Sequence, residues 1–434
     1  MFNLVVIGSG WAGYNAALRA SELGARVALV EKDEIGGTCL NRGCIPTKTL
    51  VNSARLFKEI KHYNDFGIEV KDCSVDFTKV QVRRKQIISD LQKGILFQLN
   101  RQKVEIIKGK ARIVSSRIVE VDSRVIEAKF IIIATGSGPA ELSSLPFKPN
   151  HILSSSEILE LDSIPKSLLI VGGGAIGCEF ASIFSALGSG VAIIEALERL
   201  LPAEDEEISK KIEMVFKKNG IKVTTKAKIE DFNLQQFEKV LVCVGRALNT
   251  EGLWDEKMPI KRERGRIVVN EFLKTGVDNI YAAGDCIGGK LLAHVASYEG
   301  TLAAENIFGK KQAADYSVIP SCTFTNPEIA SVGLSEKAAV AAGKKIKTAK
   351  FSFLASGMAR ILEESDGFIK LIADETTDDL LGAAIIGPKA TELISSLTLA
   401  IRNKLKSRDV YGTIFAHPSL SEGIFEAAKN LSGL

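Results

Sequence analysis

The 434-residue chain has no apolar run long enough to cross a bilayer. Its longer runs, such as Phe130-Ile131-Ile132-Ile133-Ala134, fall far below the about 18 residues that a spanning helix needs. Charge imbalance is also small, with 56 Lys and Arg against 52 Asp and Glu. Short basic stretches such as Arg83-Arg84-Lys85 read as solvated helix faces, so neither a membrane nor a nucleic acid is an expected partner. Cysteine is sparse: seven in a chain of this length do not make a disulfide scaffold. No export or transit signal is read ahead of the first apolar strand, so the expected compartment is the reducing cytoplasm. What is present is a globular composition, 46% hydrophobic and 25% charged, at a length that asks for roughly two to four domains.

One pattern occurs twice. Leu4-Val5-Val6-Ile7 runs into Gly8-Ser9-Gly10-Trp11-Ala12-Gly13, then a helical stretch closed by Gly24, then a strand ending at Glu31. Leu168 to Val171 runs into Gly172-Gly173-Gly174-Ala175-Ile176-Gly177, a helix closed by Gly188, and a strand ending at Glu195. In both copies the acid lies 18 residues beyond the third glycine. Gly8 and Gly172 permit the tight strand-to-helix turn, and Gly10 and Gly174 let the backbone approach a pyrophosphate. Gly13 and Gly177 allow close helix–strand packing, while the helix N-terminus attracts phosphate charge. Glu31 and Glu195 sit where a carboxylate accepts hydrogen bonds from ribose hydroxyls. A lone GxGxxG is weak evidence, but two copies with strand, helix, strand and acid in register predict two bound dinucleotides. No arginine adjoins Glu195, although Arg199 lies four residues on, and this favours a free 2′-hydroxyl (NAD) over a 2′-phosphate in the second site.

After the first copy comes Gly36-Gly37-Thr38-Cys39-Leu40-Asn41-Arg42-Gly43-Cys44-Ile45-Pro46-Thr47-Lys48. An ideal helix holds Cα atoms five residues apart at ~8.6 Å, beyond the ~7 Å limit for a disulfide. If these cysteines bond, the segment must be a distorted turn, which Gly36, Gly37 and Gly43 permit. Pro46 suits the first turn of a following helix, placing Cys44 at a helix N-terminus that favours a thiolate. Buried inert cysteines, a zinc site and a structural disulfide are the competing readings. Glycine flanks, the lack of a second close Cys/His pair and the expected reducing compartment each weigh against one of them. A redox-active pair is the reading these residues favour. Cys73, Cys178, Cys243, Cys286 and Cys322 are scattered and read as packing residues.

Near the C-terminus stands Phe415-Ala416-His417-Pro418-Ser419-Leu420-Ser421-Glu422. A histidine can take the proton that a dithiol loses when it attacks a disulfide, and a carboxylate can orient the ring. Alone this signal is weak; it gains meaning only beside Cys39 and Cys44. His62 and His151 carry no motif, and His294 reads as part of a cofactor domain.

Together these residues resemble the pyridine nucleotide–disulfide oxidoreductases over nearly the whole chain. Gly36 to Lys48 is similar to that family's redox signature, and Ile280-Tyr281-Ala282-Ala283-Gly284-Asp285 to its second FAD motif. Ala134-Thr135-Gly136-Ser137 and Val244-Gly245-Arg246 resemble the linking motifs after each nucleotide unit. The resemblance implies FAD at the first glycine unit and NAD at the second. It further implies Asp285 on the ribityl chain, Thr38, Lys48, Thr135, Gly136 and Gly245 as cofactor contacts, and a Lys48–Glu179 pair beside the flavin. Within the family the pattern is most similar to members that oxidise dihydrolipoyl groups. Glutathione-type reductases carry arginines where this chain has Glu195, and mercuric reductases carry a terminal cysteine pair that Asn430 to Leu434 lacks. Leu248 replaces an expected proline, Phe415 an additional histidine, and the stretches 115–128 and 224–238 read as short loops.

The architecture this implies is α/β: two Rossmann-like dinucleotide-binding domains for FAD and NAD, plus a C-terminal α+β dimerisation domain. Expected bounds are 1–145 for the FAD domain, 146–263 for the NAD domain, 264–314 for a central segment returning to the FAD domain, and 315–434 for the interface domain. The implied partners are a second copy of the chain and the lipoyl domains of 2-oxoacid dehydrogenase or glycine-cleavage complexes. A reductase of another small disulfide, or a non-catalytic flavoprotein, remains open.

Overall fold

The computed structural model describes residues 1–255 and 257–433. Strands β1 (Phe2–Ile7) and β2 (Val27–Glu31) are almost wholly buried on both faces. That pattern belongs to parallel strands sandwiched between layers. They pair parallel with each other, and β3 (Glu105–Lys108) adds beside β2. Strands β4 (Ala111–Ser115) and β5 (Ile118–Val121) form an antiparallel meander with the long β6 (Arg124–Ile133). The second half of β6 then runs parallel to β1, and Ile280–Ala282 pairs with β6. Residues 115–128, read above as a loop, therefore lie largely in strands. The alternation Ile118, Glu120 against Val119, Val121 has the two-residue period of a half-buried hairpin.

Helix α1 (Trp11–Glu22) buries an alanine face of Ala12, Ala16, Ala17 and Ala20. Small residues there allow a close crossing with the helix Ala293–Phe308. A Cβ added at Gly300 would lie 2.0 Å from the Ala12 carbonyl oxygen. Two further helices carry the cysteine segment, α2 (Gly37–Arg42) and α3 (Cys44–Ile60).

A second parallel sheet orders its strands Lys222–Thr224, Gly190–Ile194, Ser167–Val171, Lys239–Val242 and Ile152–Leu153. Its glycine turn opens the helix Ala175–Ala186. The chain leaves the first sheet along Ser137–Pro139 and comes back along Arg246–Leu248, and these two segments pair antiparallel. Leu253, Ile260 and Ile267 pack with Val5 and Ile131 in the core of the first sheet. The return thus begins ahead of residue 264, earlier than the expected boundary. Isolated apolar residues in irregular chain carry no period that could have revealed it.

The last part is an antiparallel sheet ordered Ser321–Thr323, Glu328–Gly333, Leu380–Gly387, Phe368–Asp374 and Ile346–Ser352. Helices Ala390–Arg402 and Glu422–Leu431 cover it through Ile394, Leu397, Ile424 and Ala427. Among the described residues no helix is long and apolar enough to cross a membrane.

One ion cluster docks this sheet onto the second domain. The Lys370 ammonium, 2% exposed, lies 3.1 Å from Asp205, 2.9 Å from Glu207 and 2.6 Å from Glu336. Asp205 also caps the helix Glu206–Lys218, accepting the Glu207 N–H at 3.0 Å. Removing one partner of such a buried pair leaves an uncompensated charge, which costs about 3–5 kcal/mol. Lys370→Met is expected to lower the thermal unfolding midpoint by several degrees, and more than Lys350→Met, whose exposed partner contact is solvent-screened. Equal effects of the two substitutions in a thermal scan would refute this ranking.

Candidate active site

The two glycine turns have the same construction. A Cβ at Gly8 would stand 2.3 Å from the Ala134 carbonyl oxygen, and one at Gly13 would stand 1.8 Å from that of Gly8. At Gly172 and Gly177 the corresponding distances are 2.4 Å to Cys243 and 2.0 Å to Gly172. By contrast nothing lies within 4 Å of a Cβ position at Gly10 or Gly174. These middle glycines leave open the side on which a pyrophosphate would sit against the helix N-terminus. Each acid is locked to its turn. Glu31 accepts the Ser9 N–H at 2.8 Å and the Ser9 hydroxyl at 2.6 Å. Glu195 accepts the Gly173 N–H at 2.6 Å and the Leu197 N–H at 2.7 Å.

The cysteine segment is pressed against the first turn. Gly36 and Gly37 adopt left-handed φ values of +96° and +63°, which glycine reaches without strain. The Gly36 N–H donates to the Ser9 hydroxyl at 3.1 Å, and a Cβ at Gly37 would lie 2.6 Å from the Gly10 Cα. Helix α2 ends at Gly43 and α3 starts at Cys44, so a break separates the cysteines rather than a continuous helix. Both are unbonded thiols here. They line one cavity of 820 Å³ with Gly8, Gly10, Glu31 and Asp285.

The two thiols differ sharply. The hydrogen bond from Cys39 lowers the Cys44 pKa to about 7, helped by the Lys48 charge and opposed by burial. The helix N-terminus adds free N–H groups at the same sulfur. Cys39 moves the other way, held protonated by the bond it gives to Cys44 and by burial. One proton is thus shared unequally, and Cys44 holds the negative charge.

Lys48 stands one helical turn beyond Cys44 and therefore on the same face. Its ammonium contacts the two Glu179 oxygens at 2.9 and 2.8 Å and lies 4.6 Å from the centre of the Phe324 ring. The Phe324 N–H donates to Glu179 at 2.9 Å, so three parts of the chain meet at this carboxylate. At the cavity's other side Asp285 accepts from the Ser137 hydroxyl, with Arg246 Nε at 3.6 Å. Glu299 sets the turn before Asp285, accepting the Gly284 N–H at 2.6 Å and the Tyr316 hydroxyl at 2.8 Å. Burial pushes the Glu299 pKa up to about 7, against the pull of those two donors.

The cavity wall also includes Thr38, Lys48, Thr135, Gly136 and Glu179. Gly13, Gly172, Gly174, Gly177, Glu195 and Gly245 are not on that wall; the second turn and Glu195 form their own corner of the second domain. His417 and Glu422 also stand apart from it. Their ring-nitrogen-to-carboxylate contact is 2.8 Å, with the histidine 81% exposed. The Ser419 N–H and His417 hold the Glu422 pKa below the usual carboxylate range. Sequence reading did not single out Phe324 or Glu299, since neither sits in a glycine or cysteine pattern. Arg246 and Ser137 were visible only inside their linking motifs.

Comparison with known proteins settles the family. Residues 2–300 match the pyridine nucleotide-disulphide oxidoreductase family, and residues 319–428 match its dimerisation domain. The chain belongs to this family. It is 44% identical to a dihydrolipoyl dehydrogenase of Chlamydia pneumoniae over 98% of this chain and 96% of that one. A dihydrolipoyl dehydrogenase of Bacillus subtilis is 40% identical, over 100% and 98%. Among solved structures, LpdA of Mycobacterium tuberculosis superimposes with a TM-score of 0.92 at 27% identity, covering 99% of both chains. The HOCl-induced flavoprotein disulfide reductase RclA of Escherichia coli gives 0.89 at 29%, covering 98% and 99%. As a pyridine nucleotide-disulphide oxidoreductase, this protein is an enzyme acting on sulfur with FAD and NAD(H) as cofactors. The open middle glycines and the locked acids fit two dinucleotides.

The thiol asymmetry gives a titration. In holoenzyme reduced anaerobically, Cys44 thiolate should increase as pH rises through about 7. Lys48→Met removes a charge that favours the thiolate, so the midpoint should move up by roughly one pH unit. The check is the thiolate–flavin absorbance against pH. A Lys48→Met midpoint at or below the wild-type value would contradict the role given to Lys48.

Proposed function

We propose that the chain is a dihydrolipoyl dehydrogenase, oxidising dihydrolipoyl groups and reducing NAD+ through Cys39, Cys44 and FAD. The observation that carries this is the cysteine pair, set in the same cavity as the first phosphate turn and polarised toward Cys44. The full-length likeness to proteins bearing that name supports the substrate. FAD belongs at Gly8, Gly10, Gly13 and Glu31, with Asp285, Thr38, Thr135, Gly136 and Lys48 as further contacts. NAD belongs at Gly172, Gly174, Gly177 and Glu195, with Gly245 nearby. Glu195 would repel a 2′-phosphate, which favours NAD over NADP. The natural substrate is a lipoyl group on a partner domain of a 2-oxoacid dehydrogenase or glycine-cleavage complex, met in the cytoplasm.

When bound, FAD carries the electron pair from the thiols to NAD+. The protein residues conduct the exchange. His417, oriented by Glu422, takes a proton from one substrate thiol. The thiolate attacks Cys39, the Cys39–Cys44 bond breaks, and Cys44 leaves with the electron pair. Lys48 and the start of α3 hold that charge, and Glu179 keeps Lys48 in place. The second substrate sulfur then attacks the first, releasing Cys39 and an oxidised lipoyl ring. Of the two substrate protons, one ends on Cys39 and the other leaves through His417.

His417 faces outward from the dimerisation domain, near Ile414, which is 98% exposed. An exposed base three residues from an exposed apolar side chain suits a partner surface. We therefore assign each site to two chains of a homodimer, with His417 serving the partner's cysteines.

The resemblance to a flavoprotein disulfide reductase favours one second reading, an NADH-consuming reductase of another small disulfide. Steady-state rates separate the two. Dihydrolipoamide with NAD+ should exceed NADH with glutathione disulfide or coenzyme A disulfide by at least about tenfold in kcat/KM. Preference for one of the latter disulfides would select the reductase.

Mixed dimers test the shared site. Cys39→Ser and His417→Gln chains, each inactive with lipoamide, are dissociated, mixed and allowed to pair. Random pairing should restore roughly a quarter of wild-type activity, because each mixed dimer has one intact site. Verified chain exchange without recovery would mean that each site is built within one chain.

A further inference from the structure

Trp11 is the first residue of α1, directly after the open glycine of the first phosphate turn. The same contact that presses α2 onto that turn, Gly37 against Gly10, brings the Trp11 side chain beside Cys39. Both line the cavity. The indole is held by an edge-on contact with Tyr14, ring centres 5.9 Å apart at 81°. Its Nε1 is buried and makes no hydrogen bond of ordinary geometry with another protein group. A buried donor without a partner is costly to keep. It becomes intelligible if its acceptor is an atom that is neutral here and charged during the reaction.

Cys39 is such an atom. The exchange places negative charge on each sulfur in turn. Cys44 has Lys48 and the start of α3 to receive it. Cys39 has neither so close, and its thiol is pushed up by the bond it gives to Cys44, by burial and by the Cys44 charge. Two groups act in the opposite direction, the Trp11 side chain first and the more remote Lys48 charge second.

We propose that the Trp11 indole N–H is the hydrogen-bond donor that stabilises Cys39 as it leaves the mixed disulfide. In that step the second substrate sulfur bonds to the first, the bond from substrate sulfur to Cys39 breaks, and Cys39 departs with the electron pair. The indole N–H turns from an unmet donor into a charge-assisted one, and His417 then delivers the proton. This rests on the dithiol exchange described above.

Trp11→Phe keeps an aromatic ring near Tyr14 while removing the N–H together with part of the indole; Trp11→His returns a ring N–H on an equally small ring. In anaerobically reduced holoenzyme, alkylation of Cys39 by iodoacetamide is followed against pH with no substrate present. Trp11→Phe is expected to shift this profile to higher pH and to lower kcat with lipoamide, per bound FAD, by about tenfold, with KM near wild type. Trp11→His should recover part of both. An unchanged alkylation profile overturns the proposal, as does a change in KM alone. Loss of FAD in both variants overturns it too, because the indole then holds the cofactor or the fold. If wild-type enzyme fails to turn over lipoamide, the substrate assignment falls while the alkylation profile still reads the Trp11–Cys39 interaction.

Discussion

The chemistry of this protein depends on one close backbone contact. Gly37 meets Gly10 where a single added carbon would lie 2.6 Å away, and the Gly36 N–H bonds the Ser9 hydroxyl. That contact fastens the cysteine segment to the glycine turn, so the sulfurs and that turn line one cavity. Ser9 is itself tied to Glu31, so one hydroxyl links that acid, the glycine turn and the cysteine segment. A side chain in place of Gly37 would press on Gly10 and push the cysteine segment off the glycine turn.

Once the sulfurs are adjacent, electrostatics decides which bears the charge. Cys44 begins a helix and has Lys48 one turn away, while at Cys39, in the short preceding helix, burial and the bond to Cys44 outweigh the Lys48 charge. The Lys48 ammonium would lose much of its usefulness if it were free to swing into water. Glu179 and the Phe324 ring confine it, and Glu179 is in turn held by the Phe324 N–H. The site therefore draws on the first domain for sulfur, the second for the carboxylate and the last for the clamp. Docking of the domains, through Lys370 and Asp205 among other contacts, is a condition of the chemistry as well as of stability.

Donors and charges around the two sulfurs divide the exchange into halves with different requirements. A leaving group that stays ionised needs a fixed cation and helix N–H groups. One that is reprotonated needs only a transient donor and a proton source. In the proposed exchange, Lys48 with α3 would meet the first need and Trp11 with His417 the second.

Much of this was legible in the linear chain because it depends on short-range stereochemistry. The two GxGxxG turns, their acids at a fixed interval and the glycine-flanked cysteines each reflect local backbone demands, so spacing alone singled out Gly8, Gly172, Glu31, Glu195, Cys39 and Cys44. The buried parallel strands announced themselves as unbroken apolar runs. What the chain order could not convey was contact across long separations. Phe324 on Glu179, Glu299 behind Asp285 and Lys370 on Asp205 join residues more than a dozen to more than a hundred positions apart. No local pattern marks such residues, since an ordinary Phe, Glu or Lys becomes special only by its neighbours. The early return of Leu253 to the first core and the strands within 115–128 were hidden for a related reason: irregular or edge segments acquire their place from the surface they pack on. Sequence determined which chemistry the chain carries; tertiary packing decided which sulfur holds the charge, because that depends on desolvation and neighbouring groups that exist only in the folded protein.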